Sequence, residues 1–162
     1  MKKLNDYIAE YKKQLSQGYI QQAYVGLMKY MMSLKAHFVK NLSDKYSVGN
    51  ISPGYMDFSY FPFFNDFLRE RKLRFGIVLN HEKLRFELWL MGQNASVQHT
   101  YWSILKKSEW NKHQTTMPEY SVLEAVLVES PDFDKPDVLT QDIECEALRL
   151  SIEITDYLKN KN

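Results

Sequence analysis

The sequence predicts an α+β fold in which helices pack on a mixed or antiparallel sheet. Apolar residues recur at helical spacing near both ends of the chain and alternate at strand spacing in the middle. In addition, the segment KLRFGIVLNHEKLRFELWL, residues 72–90, repeats one four-residue phrase on both sides of a short polar interruption. This repetition indicates a β-hairpin over residues 73–91 at the centre of the sheet. The expected element order is α-α-β-β-β-α-β-α.

The length of the chain predicts one domain, residues 1–162. A domain of this size buries about 70% of its unfolded surface, so its core needs no metal or disulfide. Within it we expect an N-terminal helical hairpin over 1–43 and a sheet core over 54–130. The sheet core includes a helix over 94–110, and a C-terminal helix over 139–160 completes the domain.

Two apolar stripes indicate the N-terminal helices. The first comprises Leu4, Tyr7, Ile8, Tyr11 and Leu15. The second extends over about residues 19–43 and comprises Ile20, Tyr24, Leu27, Met31, Leu34, Phe38 and Leu42. Gly18 lies between the stripes and is a typical stop signal, so the two segments predict an αα-hairpin.

The first and last strands are predicted from alternation and composition. The phrase YMDFSYF places Met56, Phe58 and Tyr60 on one face and Asp57 and Ser59 on the other. Pro62 is expected to end this strand. The segment 121–129 is apolar on both faces except at Glu124, which predicts an interior position in the sheet.

The helices that flank the last strand are predicted from capping and periodicity. Asn94 is a good N-cap for the helix over 94–110. The final helix is expected to begin near Thr140, after an acidic loop between Pro131 and Pro136. Its predicted buried face comprises Leu139, Ile143, Ala147, Leu150, Ile154 and Leu158.

The repeated phrase predicts the register of the hairpin. Pairing that is symmetric about residues 81–82 joins Leu79 to Leu84, Ile77 to Phe86, Phe75 to Leu88 and Leu73 to Leu90. Burying such side chains contributes roughly 1.5–3 kcal/mol each, and a slip by one residue would turn them outward. His-Glu is a poor two-residue turn, so a looser four-residue loop is the alternative.

The opposite face of the hairpin carries the candidate site. In the symmetric register Arg74 lies opposite Trp89 as a cation–π pair, and Arg85 and Glu87 share one side of their strand and can form an ion pair. Asp57 is expected to join them from the neighbouring strand. The candidate ligand-binding residues are therefore Asp57, Arg74, Arg85, Glu87 and Trp89, with Ser59 beside them and Trp102 and Trp110 at the rim. The alternative is a solvated face held by ordinary cross-strand pairs.

These residues favour a non-catalytic ligand-binding or protein-interaction module over an enzyme. The arginines would hold a small anionic ligand and Trp89 would supply a stacking wall. The rival is an enzyme that uses Asp57 and Glu87 as an acid/base pair. The partner is a small anionic ligand or another protein, and a homodimer through Met28 and Met32 is a further alternative.

The element order from residue 19 to 129 is similar to that of the PD-(D/E)xK nuclease core. That resemblance implies a carboxylate on the second strand and an acidic residue and a lysine on the third. Here the second strand has no carboxylate, and Glu87-Leu88-Trp89 places tryptophan where the lysine should stand. The order therefore leaves a degenerate, non-catalytic relative of that fold as an alternative.

Other chemistries find no support in the residue pattern. The four histidines lack metal-ligand spacing, and Cys145 is the single cysteine, so we expect neither a metal nor a cofactor. The net charge of +1 argues against nucleic acid as a partner, although Arg69, Arg71 and Lys72 form a small basic cluster. The sequence has neither a signal-peptide pattern nor a membrane-spanning apolar run, so a cytoplasmic location is expected.

Several segments along the chain share a pattern with known sequences. They are GYMDFSYFPFFNDFLRERKLRFGIVLNHEKLRFELWLMGQN, QHTYW and SEWNK after it, and the YIAEYKKQL, AYVGLMKYMMSL and LVESPDF segments. In these segments the chain resembles a family of small bacterial proteins of unknown function. The resemblance covers nearly the whole chain. It implies a bacterial cytoplasmic protein of a single domain and brings no activity, cofactor or catalytic residue with it.

Overall fold

The computed structural model describes residues 1–161 and confirms the α+β class and the main element order. Its helices are α1 (Leu4–Leu15), α2 (Tyr19–Leu42), α3 (Asp66–Glu70), α4 (Ala95–Leu105) and α5 (Pro136–Lys159). Its strands are β1 (Ser47–Val48), β2 (Phe58–Phe64), β3 (Leu73–Asn80), β4 (Arg85–Gly92) and β5 (Leu123–Val128). No helix among these described residues is long and apolar enough to cross a bilayer.

The strands form one antiparallel sheet in the order β1-β2-β3-β4-β5. The hairpin of β3 and β4 is central, as predicted. β5 lies at an edge, so its expected interior position is wrong. Its outward residue Val126 is 40% exposed, because the described helices that pack on the sheet lie on its opposite side. The prediction failed because Val126 is apolar although its side of the strand is exposed, so the sequence of β5 resembled that of a strand buried on both faces.

Helices cover one side of the sheet and build the main core there. The buried apolar residues of α2, α3, α4 and α5 all belong to one cluster with the inward side chains of β2, β3, β4 and β5. All six residues predicted for the buried face of α5 lie in this cluster. A second, smaller cluster on the outer side consists of Val78, Trp89 and Met91, against which Phe58 and Tyr60 pack. The open outer side is the part of the fold that concerns function.

The hairpin register differs from the prediction by two residues. The observed pairs are Leu79 with Phe86, Ile77 with Leu88 and Phe75 with Leu90. A shift of two keeps the side chains within the two strands on their predicted faces, because strand side chains alternate with a period of two. The exception is Leu84, which was expected to pair with Leu79 but lies in the turn with φ of 48° and is 46% exposed. The turn is the four-residue alternative, residues 81–84, in which Asn80 Oδ1 accepts the Lys83 N–H at 3.1 Å.

Two predicted boundaries are wrong because of how proline is accommodated. β2 continues through Pro62, whose carbonyl accepts the Gly49 N–H at 2.8 Å. The backbone of Pro62 thus faces the short β1 edge, so its missing N–H removes no hydrogen bond from the β2–β3 ladder. α5 begins at Pro136 and not near Thr140, since proline is favoured in the first turn of a helix.

Candidate functional site

Glu87 and Arg85 share the outer side of β4 and form the predicted ion pair, with 2.7 Å between Nε and Oε2. Glu87 is 2% exposed and also accepts from Asn80 Nδ2 at 3.1 Å and from Trp89 Nε1 at 2.9 Å. Arg85 donates in addition to Glu129 at 3.1 Å. The hydrogen bond to Glu87 raises the pKa of the Arg85 guanidinium. The Arg85 guanidinium and the Glu87 carboxylate are therefore already hydrogen-bonded to other side chains of the protein.

Trp89 lies in the floor of the outer side and is 4% exposed. The ring of Phe58 packs on it with 4.8 Å between centroids. The expected cation–π pair with Arg74 is wrong, because the shifted register places Arg74 opposite Met91 and Gly76 opposite Trp89. A Cβ on Gly76 would lie 2.6 Å from the terminal methyl of Met91, so the glycine lets this side chain lie flat on the sheet.

Asp57 and Ser59 were expected on the same face, but the structure places them in different environments. Asp57 is exposed in the loop before β2, and its Oδ1 accepts the N–H groups of Tyr55 at 2.9 Å and Phe58 at 2.7 Å. These backbone hydrogen bonds lower the pKa of Asp57. Ser59 is fully buried and does not lie on the Arg85 side, contrary to the prediction, because Phe58 and Tyr60 take that side of β2.

Ser59 instead joins His81, a pair that the sequence did not suggest. Its hydroxyl donates to the Pro53 carbonyl at 2.6 Å and lies 2.7 Å from His81 Nε2. Because a hydroxyl has one proton, His81 must be the donor in the second contact. The arrangement ties a loop to the hairpin turn and does not activate a nucleophile.

A groove of about 530 Å³ lies over the outer side of the sheet. We call it the outer groove. Its floor is formed by Phe58, Tyr60, Trp89 and Met91, and its walls by the loops that carry Tyr55, Asp57, Glu119 and Tyr120. Tyr55 is 96% exposed and Tyr120 is 56% exposed, so two tyrosines at the border of the groove face solvent. The hydrogen bond between Tyr120 and Glu119 raises the pKa of Tyr120.

A second cavity of about 280 Å³ adjoins the outer groove. This basic pocket is lined by Phe64, Arg69, Lys72, Leu73, Arg74 and Gln93, and it shares Arg74 and Gln93 with the outer groove. Lys72 has a left-handed backbone with φ of 57° and joins α3 directly to β3. Within residues 1–161, Arg69, Lys72 and Arg74 form no ion pair.

Three of the five predicted site residues, Asp57, Arg74 and Trp89, line the outer groove. Arg85 and Glu87 lie outside its lining and serve the network beneath Trp89. The tryptophans expected at the rim pack elsewhere: Trp102 and Trp110 contact the main core. The sequence missed Tyr55, Glu119 and Tyr120, since they come from loops whose approach to the sheet leaves no local pattern.

The geometry gives the alternative chemistries no support. Glu87 is 2% exposed and its oxygens already accept from three side chains, so burial shields this carboxylate from a substrate or a magnesium ion. Among the described residues 1–161, no three His, Cys, Asp or Glu side chains converge as metal ligands do.

Most of the chain matches a known protein family. Residues 4–158 match a family described as a domain of unknown function (DUF7000). No curated protein and no solved structure matches the chain. The match spans nearly the whole sequence and agrees with the expectation of a single-domain family without an assigned activity.

Proposed function

Because this chain belongs to the DUF7000 family, whose function is unknown, we propose its function from the site alone: it binds a small planar anion. The anionic group would occupy the basic pocket, and the planar part would lie on the aromatic floor of the outer groove. Arg74 borders both cavities and would contact the ligand where these two parts join.

The observation that carries this proposal is the set of three cations in the basic pocket. Arg69, Lys72 and Arg74 line one cavity and, within residues 1–161, have no carboxylate partner. All three residues are exposed, so water screens their mutual repulsion, and an anion in the cavity would be attracted to all three. A guanidinium also presents two parallel donors to a phosphate or carboxylate. Elsewhere on this face the protein does neutralise its arginine, since Arg85 has two carboxylates.

The outer groove supports the planar part of the proposal. Its volume of about 530 Å³ is typical of small-molecule sites, and its floor is largely aromatic. Tyr55 and Tyr120 at the border could lie against an aromatic ring from above. Asp57 and Glu119 would accept hydrogen bonds from hydroxyl or amino groups of the ligand. A ligand with a charged end, a flat ring and a few donors therefore fits best.

The test is isothermal titration calorimetry with AMP and with an aromatic carboxylate as planar anions. Adenosine and inorganic phosphate serve as the matched halves of AMP. We expect at least one planar anion to bind, and each half to bind about tenfold or more weakly, because either half fills one cavity only. Raising the salt concentration should weaken binding, since the contact is electrostatic.

The matched variants are Arg74→Ala and Lys29→Ala. Arg74→Ala should lower the affinity for the planar anion about tenfold or more, as the loss of a charge-assisted contact would. Lys29 is exposed on α2, on the other side of the sheet, and its substitution should leave the affinity unchanged. Equal affinities of the two variants, or no binding of either planar anion, would overturn the proposal.

A further inference from the structure

Within residues 1–161, α1 contacts the rest of the chain only near its junction with α2 and buries no residue. None of its 12 residues is buried, and Leu15 alone is half-buried. Leu4, Tyr7, Ile8 and Tyr11 are 72%, 60%, 51% and 62% exposed. A solitary helix of about 12 residues is only marginally stable in water, because few backbone hydrogen bonds offset the cost of nucleation. The apolar side chains of α1 thus require a partner surface.

The apolar residues of α1 have the spacing of a coiled-coil seam. Leu4, Ile8, Tyr11 and Leu15 are separated by four, three and four residues. This alternation keeps side chains on one line between two supercoiled helices. This spacing is the same from either end, so an antiparallel copy would place Leu4 opposite Leu15 and Ile8 opposite Tyr11.

We infer that α1 is a self-association element, through which two copies of this chain form a symmetric dimer by antiparallel pairing of α1 with α1. A two-fold interface uses the same patch on both copies and therefore needs a self-complementary patch, which the symmetric spacing of the seam provides. Antiparallel pairing also sets opposite helix dipoles side by side. It separates the Lys12 and Lys13 pairs of the two copies, which parallel pairing would place together.

The start of α2 also exposes apolar side chains. Tyr19, Ile20 and Val25 are 72%, 36% and 51% exposed, and they follow α1 after a short turn at Gly18. The exposed tyrosines of α1, Tyr7 and Tyr11, offer roughly 100–150 Å² each. The apolar side chains of α1 alone offer less than the roughly 800 Å² that each partner buries in a standard complex, which fits a weak dimer.

The first test is the mass of the full chain in solution by analytical ultracentrifugation at increasing concentration. We expect a monomer–dimer equilibrium in the micromolar range. Ile8→Glu should shift the chain to monomer, because it places a charge in the middle of the seam. Lys13→Glu, on the polar side of α1, is the matched control and should leave the dimer in place. Neither variant should change the melting temperature of the folded monomer, since no residue of α1 is buried.

The second test reads the pairing directly by disulfide cross-linking in a Cys145→Ser background. A mixture of Ile8→Cys and Tyr11→Cys chains should form covalent dimers several-fold faster than a mixture of Ile8→Cys and Lys13→Cys chains. Cross-linking at equal rates would overturn the antiparallel seam.

Three further results would overturn the inference. One is a chain that stays monomeric up to about 100 μM. Another is a dimer that Ile8→Glu leaves intact, which would move the interface to another surface, such as the exposed Met32 on α2. The third is a monomer whose α1 binds vesicles of anionic phospholipid in a manner abolished by Ile8→Glu, because the apolar face would then serve a lipid surface.

Discussion

Glu87 shows at the scale of a single residue how a predicted site residue can turn out to support the fold. The sequence placed it correctly beside Arg85, because two residues that are two apart in a strand share a face. It could not show that Asn80 and Trp89 would also donate to the same carboxylate. Those contacts depend on which residues of β3 and β4 lie opposite each other, and the observed register differs from the predicted one by two residues.

The role of Glu87 can be tested by Glu87→Gln. The amide would turn donors toward Arg85, Asn80 or Trp89 and leave at least one buried group unpaired. We expect the free energy of unfolding in urea to fall by about 1–3 kcal/mol. Glu129→Gln is the matched control, since Glu129 pairs with the same arginine but has a side chain that is 65% exposed. It should cost less than about 1 kcal/mol. Equal losses would show that burial of Glu87 does not matter.

At the scale of elements, the loop before β2 decides whether the outer groove exists. Gly54 has φ of 70°, and a Cβ there would lie 2.2 Å from the Phe58 carbonyl oxygen and 2.7 Å from Asp57 Oδ1. The loop can fold back over the sheet only because that space is empty. The sequence could not predict this path, because a loop's path over a sheet is set by contacts with the sheet and not by its own composition.

Gly54→Ala therefore should lower the free energy of unfolding by about 1–3 kcal/mol and weaken binding of planar anions, because the loop must shift. Gly26→Ala is the matched comparison within α2, where a Cβ meets nothing within 4 Å. It should raise the free energy of unfolding by about 0.5–1 kcal/mol, since alanine is the better helix former. Urea denaturation of both variants measures the difference, and a neutral Gly54→Ala would contradict the described loop.

At the scale of the whole molecule, His81 joins three separate parts. It lies in the hairpin turn, contacts Ser59 of β2, and stacks against Tyr24 of α2 with 6.1 Å between the rings. Its backbone N–H donates to the Asp57 carbonyl at 2.9 Å. Burial lowers the pKa of His81 below its ordinary value of 6.5, and the negative charge of Asp57 opposes this shift only in part.

The lowered pKa of His81 determines how the stability of the fold changes with pH. The unfolded chain binds a proton at His81 more readily than the folded chain does, so stability is retained above about pH 6.5 and decreases as the pH falls toward the folded pKa. We expect the melting temperature to drop between pH 7.5 and 5.5, and to drop less in His81→Gln, whose amide can still donate to Ser59. An unchanged pH slope in this variant would contradict the assignment.

Local patterns in the sequence were enough to predict the two faces of the central hairpin and the buried stripe of α5. Both rest on local periodicity, and the period of a strand survives a shift of two residues. The tertiary structure alone decided the register, the edge position of β5 and the passage of β2 through Pro62. It also decided that Asp57, Arg74 and Trp89 meet Tyr55 and Tyr120 at one groove. These outcomes depend on contacts between distant segments, for which a single sequence carries no periodic signal.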